Sequence, residues 1–160
     1  MNTSLAPTSA VSAYRSKTVA TWLAVLGGWL GLHRFYLHGL RDPIGWCFAP
    51  PALVGLVGVQ RMRAFGVDDH LAWVLIPILG LVLAISMIGA LVYGLTPDER
   101  WNARYNANAA RQHQTGWATV LGVIAALVLG AGILMATIAF SAQHYFEYAA
   151  EQAADAAQKR

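Results

Sequence analysis

Charge is scarce in this sequence. Charged side chains make up 12% of its 160 residues, about half the roughly 25% usual in soluble domains. The Leu, Val, Ile, Ala and Gly residues that charges would normally interrupt come in long blocks, which excludes an ordinary soluble domain. Cysteine is almost missing as well. The single Cys47 excludes an internal disulfide and a multi-cysteine metal site, and it reads as a small apolar filler. The net charge of +3 is spread along the chain. Without a basic cluster interleaved with aromatics, no nucleic-acid partner is expected. Also missing are a His-Glu-x-x-His pair, a phosphate-binding Gly-rich loop and a nucleophile elbow. No enzyme is therefore expected, and no cofactor or metal. Five histidines, His33, His38, His70, His113 and His144, are scattered. No ionisable residue falls deep inside an apolar run, which argues against a proton- or ion-coupled transporter.

What is present is a series of apolar segments, each to be compared with the about 20 residues that cross a bilayer. A Ser/Thr/Ala-rich stretch, residues 1–14, carries Pro7 and no charge and is expected to be a disordered tail. Arg15 and Lys17 then precede an apolar run from Thr18 to Leu32. Basic residues before a short apolar run also fit a secretory signal. No small-x-small cleavage site follows, and the run leads straight into His33, Arg34 and bulky aromatics, so a retained span is expected. His38 to Pro43 reads as a turn, with Gly39, Asp42 and Pro43 as breakers. The second segment, Pro43 to Gln60, has Pro50-Pro51 in its middle. A kinked or broken helix is expected there, with a re-entrant segment as its rival. Arg61 to His70 is a polar connection, with Asp68-Asp69-His70 as its solvated end. Leu71 to Leu95 is the clearest span, with Trp73 and Tyr93 near its ends where aromatic belts belong.

Thr96-Pro97-Asp98-Glu99 signals a helix start, with Thr96 as cap, Pro97 at the first position and Glu99 three residues after the cap. The helix it opens, about 97–112, is amphipathic. Arg100, Arg104 and Arg111 share one face, and Trp101, Tyr105 and Asn108 share the next. An interfacial helix is expected, with a solvated connecting helix as the alternative. Trp117 to Phe140 is the last span, carrying a small-residue stripe of Gly122, Ala126 and Gly130. Ser141 to Arg160 continues without a breaker, so one helix is expected from about 117 to 158, projecting beyond the membrane. Glu147, Glu151 and Asp155 lie on one face of that projection, with a weak Asp155–Lys159 pair four residues apart. The fold class expected is all-α: an integral membrane helical bundle with about four transmembrane segments, an interfacial helix and a projecting C-terminal helix. The domain reading is a tail at 1–14, a helix pair at 15–60, further membrane helices at 61–140 and a helical extension at 141–160.

One stretch is specific. Ser16-Lys17, Ala20, Gly27-Gly28, Gly31 and then His33-Arg34-Phe35-Tyr36-Leu37 resemble the signature of the two-transmembrane-helix (TM-2) domain family. That family is a pair of membrane helices joined by a short turn, found in bacteria and animals, with a poorly defined molecular role. The resemblance covers about residues 16–60, and Gly45 falls where the second helix of that domain begins with glycine. Departures are His38 before Gly39, the Pro50-Pro51 pair, and the lack of an Asp between Pro43 and Gln60. Thr96 to Asn102 is similar to a stretch in longer bacterial members. From the residues themselves, Gly27 and Gly31 are four apart and would share a helix face that admits a close neighbour, the second segment first of all. Arg34 would sit at the negative end of a helix dipole and snorkel while Phe35 and Tyr36 rest among headgroups. Two roles stay open for His33, Arg34, Phe35 and Tyr36: an anchor fixing helix depth, or a recognition surface with Arg34 as its bidentate group.

The leading functional expectation is a non-enzymatic membrane interaction or scaffold protein. Its partners would be the lipid bilayer and a membrane protein or a second copy of the chain, and its location a bacterial inner membrane. The alternative is a channel- or transporter-like oligomer lined by the broken second segment. A lipid-acting enzyme would require His33, Arg34 and His38 to converge with Asp68, Asp69 and His70. Four spans put both termini on one side. Arg15, Lys17, Arg61, Arg63, Lys159 and Arg160 would then oppose Arg34, Arg41, Arg100, Arg104 and Arg111, a balance that does not fix orientation. In animal members of the family the turn bearing the motif is thought to face the cytoplasm, which by resemblance would put both termini outside.

Overall fold

A computed structural model describes residues 13–159; the predicted tail lies mostly outside the described residues. The elements are all helical: α1 (Lys17–Gly27), a 3-10 turn (Gly28–Leu30), α2 (Leu32–His38), α3 (Pro43–Trp46), α4 (Ala49–Phe65), α5 (His70–Leu95), α6 (Asp98–Tyr105) and α7 (Trp117–Gln158). Three segments are long and apolar enough to cross a membrane: Pro43–Phe65, His70–Leu95 and Trp117–Gln158.

The first apolar run is not one continuous helix. It breaks at its glycines and doubles back. Helix α1 ends at Gly27, and Gly31 turns the chain with φ +76°, a left-handed conformation that favours residues without a Cβ. The return helix α2 lies beside α1. The Ser16 amide donates to the Tyr36 hydroxyl at 2.8 Å, and Leu37 packs with Ala20 and Trp101 in one buried cluster. The hairpin is therefore re-entrant: its ends share one face of the bundle, and its glycine tip reaches Ser86 in the interior of α5. Gly27 and Gly31 do not share a helix face, since the break falls between them.

The second apolar segment has the length to cross instead. Asp42 caps α3 by accepting from the Ile44 amide at 3.1 Å, with Pro43 in its first turn. The chain unwinds over Cys47 and Phe48 and re-forms as α4, whose first turn holds Pro50 and Pro51. Proline is tolerated there because the first helical N–H groups have no intrahelical partner. The expected break thus lies just before the proline pair. Helix α4 then runs antiparallel to α5, with Gly55 against Leu79 and Gly58 against Leu75 and Ile76. Arg61 closes the connecting turn by pairing with Asp69, Nε to Oδ2 at 2.8 Å and Nη2 to Oδ1 at 3.0 Å.

Helix α7 packs on α1 and α5 through its predicted small-residue stripe. Gly122 meets Thr21 and Trp22, Ala126 is fully buried, and Gly130 meets Met87. The core between them is Ala24, Val25, Met87, Ala90 and Ala126. Buried hydroxyls there bond their own helix: Thr21 donates to the Lys17 carbonyl and Ser86 to the Val82 carbonyl. At 42 residues, α7 is about 63 Å long, twice the about 30 Å of a bilayer's hydrocarbon core, so it projects as expected. The near face of the bundle holds the start of α1, the end of α5 and the start of α7. The far face holds the α4–α5 turn and the emerging part of α7. The start of α1 and the end of α7 lie at opposite ends of the bundle; with three crossings the ends of the described chain fall on opposite sides, with four on the same side.

Candidate functional site

The near face carries a polar cap. Lys17 begins α1 with only 2% of its surface exposed, a position an ammonium group holds only when paired. Its Nζ donates to Asp98 Oδ1 at 2.6 Å and to the Thr96 carbonyl at 2.9 Å. Asp98 also accepts from the Thr115 amide at 2.7 Å and from the Thr115 hydroxyl. One carboxylate thereby ties α1, the α5–α6 link and the approach to α7. Burial alone would raise the Asp98 pKa, but hydrogen bonds from Lys17 and Thr115 outweigh it and hold the carboxyl at about 2.

The residues before α1 are held by α6 and the chain after it. The Arg15 amide donates to Asn106 Oδ1 at 2.8 Å, and its carbonyl accepts from Trp101 Nε1 and Asn106 Nδ2 at 3.0 and 3.1 Å. The Arg15 guanidinium donates to the Tyr36 carbonyl. Tyr14 bonds His113 at 2.8 Å, and Asn102 holds the His113 backbone from both sides. Burial lowers the His113 pKa. The expected interfacial helix over 97–112 is thus shorter, ending at Tyr105, and it is not free. Trp101 is 1% exposed, packed against Leu37, Tyr93 and Tyr105 rather than lipid. Thr96 does not cap it either; the Thr96 hydroxyl bonds back to the Val92 carbonyl at 2.6 Å, and Pro97 holds the cap position.

The motif residues sit beneath this cap. His33 is buried, with its ring edge-on to Phe48 at 5.4 Å and near Tyr93 at 5.7 Å. Its Nδ1 has no hydrogen-bond partner among the described residues. Arg34 Nε donates to Asp42 Oδ2 at 2.6 Å, closing the turn between α2 and α3, rather than resting at a helix end as the dipole argument expected. That hydrogen bond is the leading cause holding the Asp42 carboxyl below its ordinary value. Phe35 packs on Trp46, and Tyr36 meets Ser16 and Arg15. Gly31 lies against the Gly45 carbonyl, where a Cβ would collide. Gly31 thus meets the second segment through a turn rather than a helix face, whereas Gly27 faces Leu32 of its own hairpin.

Other candidates stay apart. His33 lies beside Gly89, while His70, with Asp68 and Asp69 before it, starts the same helix. Nineteen residues of helix separate them, about 28 Å, so the six groups that a lipid-acting enzyme would need do not converge. No cluster of three His, Cys, Asp or Glu side chains suited to a metal ion occurs among the described residues. Asp155 and Lys159 form no ion pair among those observed; Glu151 instead lies 3.3 Å from His70 and Glu147 2.6 Å from His144. What sequence reasoning missed is the cap's internal wiring. Asn102 and Asn106, four apart and preceded by Trp101, were its available signal.

The architecture defines an all-helical integral membrane protein whose N-terminal hairpin is clamped by a polar cap. Within it, residues 13–61 match the family model of the TM2 domain, so this stretch is a TM2 domain and accounts for the hairpin, α3 and most of α4. No curated protein and no solved structure matches the chain.

Proposed function

We propose that this chain is a non-enzymatic scaffold of a bacterial inner membrane, presenting its near face to a protein partner in the cytoplasm. The observation that carries the reading is how the near-face charges are spent. Lys17 and Arg34 take up Asp98 and Asp42 in internal pairs. Arg41, Arg100, Arg104 and Arg111 remain exposed, with Glu99 the one exposed acid beside them. Arg104 and Arg111 lie over the rings of Tyr105 and Tyr14, each at 5.5 Å. The motif's own charge is used internally, so recognition moves from Arg34 to these arginines, a basic surface on a rigid platform. The small-residue faces support close packing within the chain rather than docking of a partner, because Gly55, Gly58, Gly94, Gly122 and Gly130 all meet its own side chains.

The channel-like alternative loses support from the same packing. The broken second segment lies flat on α5, and the α1–α5–α7 interface is lined by alanine, valine and methionine. Photocrosslinking groups placed at Arg100 and Arg104, with Leu121 and Val128 on the lipid-exposed side of α7 as controls, test the proposal in native membranes. A discrete protein adduct confined to the first two positions is expected. Adducts absent there, together with solute flux through proteoliposomes of the pure protein, would replace the scaffold with a channel.

A further inference from the structure

Two cations on the near face are held in place and left unspent. The Arg104 guanidinium lies 5.5 Å from the centre of the Tyr105 ring, and that of Arg111 5.5 Å from the centre of the Tyr14 ring, within cation–π range. The near-face carboxylates Asp98 and Asp42 are taken by Lys17 and Arg34, so Arg104 and Arg111 have no ion pair among the described residues. A guanidinium set over a ring keeps N–H groups free, and two of them can grip one carboxylate in parallel.

The two stacked pairs are tied into one patch. The Arg15 amide donates to Asn106 Oδ1 at 2.8 Å, and Asn106 Nδ2 donates back to the Arg15 carbonyl at 3.1 Å. Tyr14 and Tyr105, the sequence neighbours of these two residues, are fixed by the same tie. Tyr105 also meets the His38 ring at 6.2 Å, three residues before the exposed Arg41. Arg100 stands one turn before Arg104 on α6. Four exposed guanidiniums gather here, with Glu99 the one exposed acid beside them.

The ground between the arginines is not that of a membrane-binding helix. Trp101, the largest apolar side chain of α6, is 1% exposed and packed on Leu37. The exposed residues around the arginines are Ala103, Ala107, Asn108, Ala110 and Gln112. They offer no large apolar face to sink into the acyl boundary, as a lipid-binding interfacial helix requires. Short, uncharged side chains between fixed cations instead suit a protein chain laid across them, its carboxylates meeting the guanidiniums.

We propose, resting on the scaffold reading above, that the near face binds an acidic segment of its partner protein, with Arg104 and Arg111 as the carboxylate anchors. Arg41 and Arg100 widen the positive field around them. That field reaches about 8 Å at physiological salt, so it steers the segment only at close approach.

The test places a photoreactive group at the exposed Ala103 of the full-length protein in native membranes and maps the crosslinked peptide by mass spectrometry. A peptide in which Asp and Glu outnumber Lys and Arg is expected. Adduct yield should fall about ten-fold or more in Arg104→Glu/Arg111→Glu. It should fall about two- to three-fold in Arg104→Lys/Arg111→Lys, which keeps the charge but not the two-pronged geometry. Both side chains are exposed, so the unfolding midpoint should not move. Replacing the partner's mapped carboxylates by lysine should restore the adduct with Arg104→Glu/Arg111→Glu. A protein adduct that maps to a segment without an acidic excess, or that survives the double charge reversal undiminished, overturns the acidic-segment assignment and leaves the scaffold standing. No protein adduct at Ala103 overturns both, and an adduct to phospholipid alone reassigns the arginines to anionic head groups.

Discussion

Lys17 shows how much one side chain can carry in a chain this poor in charge. Its ammonium is buried because Asp98 and the Thr96 carbonyl replace the water it loses. Removing it strands the Asp98 carboxylate, whose side chain is 31% exposed. Lys17→Ala should therefore destabilise by about 3 kcal/mol, the low end for breaking a buried pair. Lys17→Met/Asp98→Asn should recover more than half, since the double variant leaves no unpaired charge. Unfolding in mild detergent, followed by circular dichroism, reads both; equal stability of Lys17→Ala and the wild type would mean the pair does not hold the cap. The pair also fixes a pH response. The Asp98 pKa falls from 3.8 in an unfolded chain to about 2 in the fold. Its stabilising contribution is then complete above pH 4 and is lost as pH falls through about 2. Asp98→Asn should flatten that acid limb of the unfolding midpoint. Arg34 follows the same logic on the other turn. Arg34→Ala should lower the midpoint by on the order of 5 °C, with its near-face crosslinks unchanged if the arginines of the cap, and not Arg34, meet the partner.

At the scale of elements, two glycines in the left-handed region separate the two possible reasons for a glycine. Gly31 (φ +76°) lies against the Gly45 carbonyl, whereas Gly39 (φ +83°) has nothing within reach of an added Cβ. Gly39→Ala should cost only the conformational penalty, about 1–3 kcal/mol for its extended positive-φ backbone. Gly31→Ala adds a collision at the tip of the hairpin and should destabilise by clearly more, measured as the difference between the two unfolding midpoints. A Gly31→Ala protein as stable as Gly39→Ala would mean the hairpin tip is not close-packed. The same two glycines mark what was legible beforehand. The apolar blocks, the long α7, its Gly122/Ala126/Gly130 stripe and the pairing of Gly31's stretch with the second segment could all be read from composition and spacing. The hairpin could not, because a 15-residue apolar run with its flanks has the length of a span. Only the left-handed turn at Gly31, invisible in a hydrophobicity pattern, sends α2 back toward Ser16. The prolines left two readings of the second segment open. Pro50-Pro51 predicted a kinked or broken helix, with a re-entrant segment as its rival; the break falls at Cys47 and Phe48, and because proline in a helix's first turn breaks nothing behind it, the segment stays long enough to cross. At the candidate site, the motif itself was legible, but Lys17–Asp98 joins residues 81 apart in sequence, and no local pattern signals such a pair.

At the scale of the whole molecule, the re-entrant hairpin re-sorts the charges and with them the orientation to be expected. With three crossings, Arg15, Lys17, Arg34, Arg41, Arg100, Arg104 and Arg111 all fall on the near face. The far face keeps Arg61 and Arg63, plus Lys159 just past the end of the projecting helix, about 20 residues beyond the last span. Basic residues within about 15–20 residues of the spans bias orientation, so on three crossings the near face is expected in the cytoplasm. The far face, with Asp68, Asp69, Glu147, Glu151 and Asp155, is expected outside on the same count. Single cysteines at Ala13 and Ala157, both exposed, introduced into a Cys47→Ala background, test this with a membrane-impermeant maleimide. In intact cells or spheroplasts, Ala157→Cys should label and Ala13→Cys should label only after the membrane is opened. Labelling of both from the same side would restore an even number of crossings and with it a first segment that spans. Labelling of Ala13→Cys alone would keep the hairpin but invert the protein, placing the four exposed arginines of the cap outside the cell and removing the cytoplasmic partner from the scaffold reading.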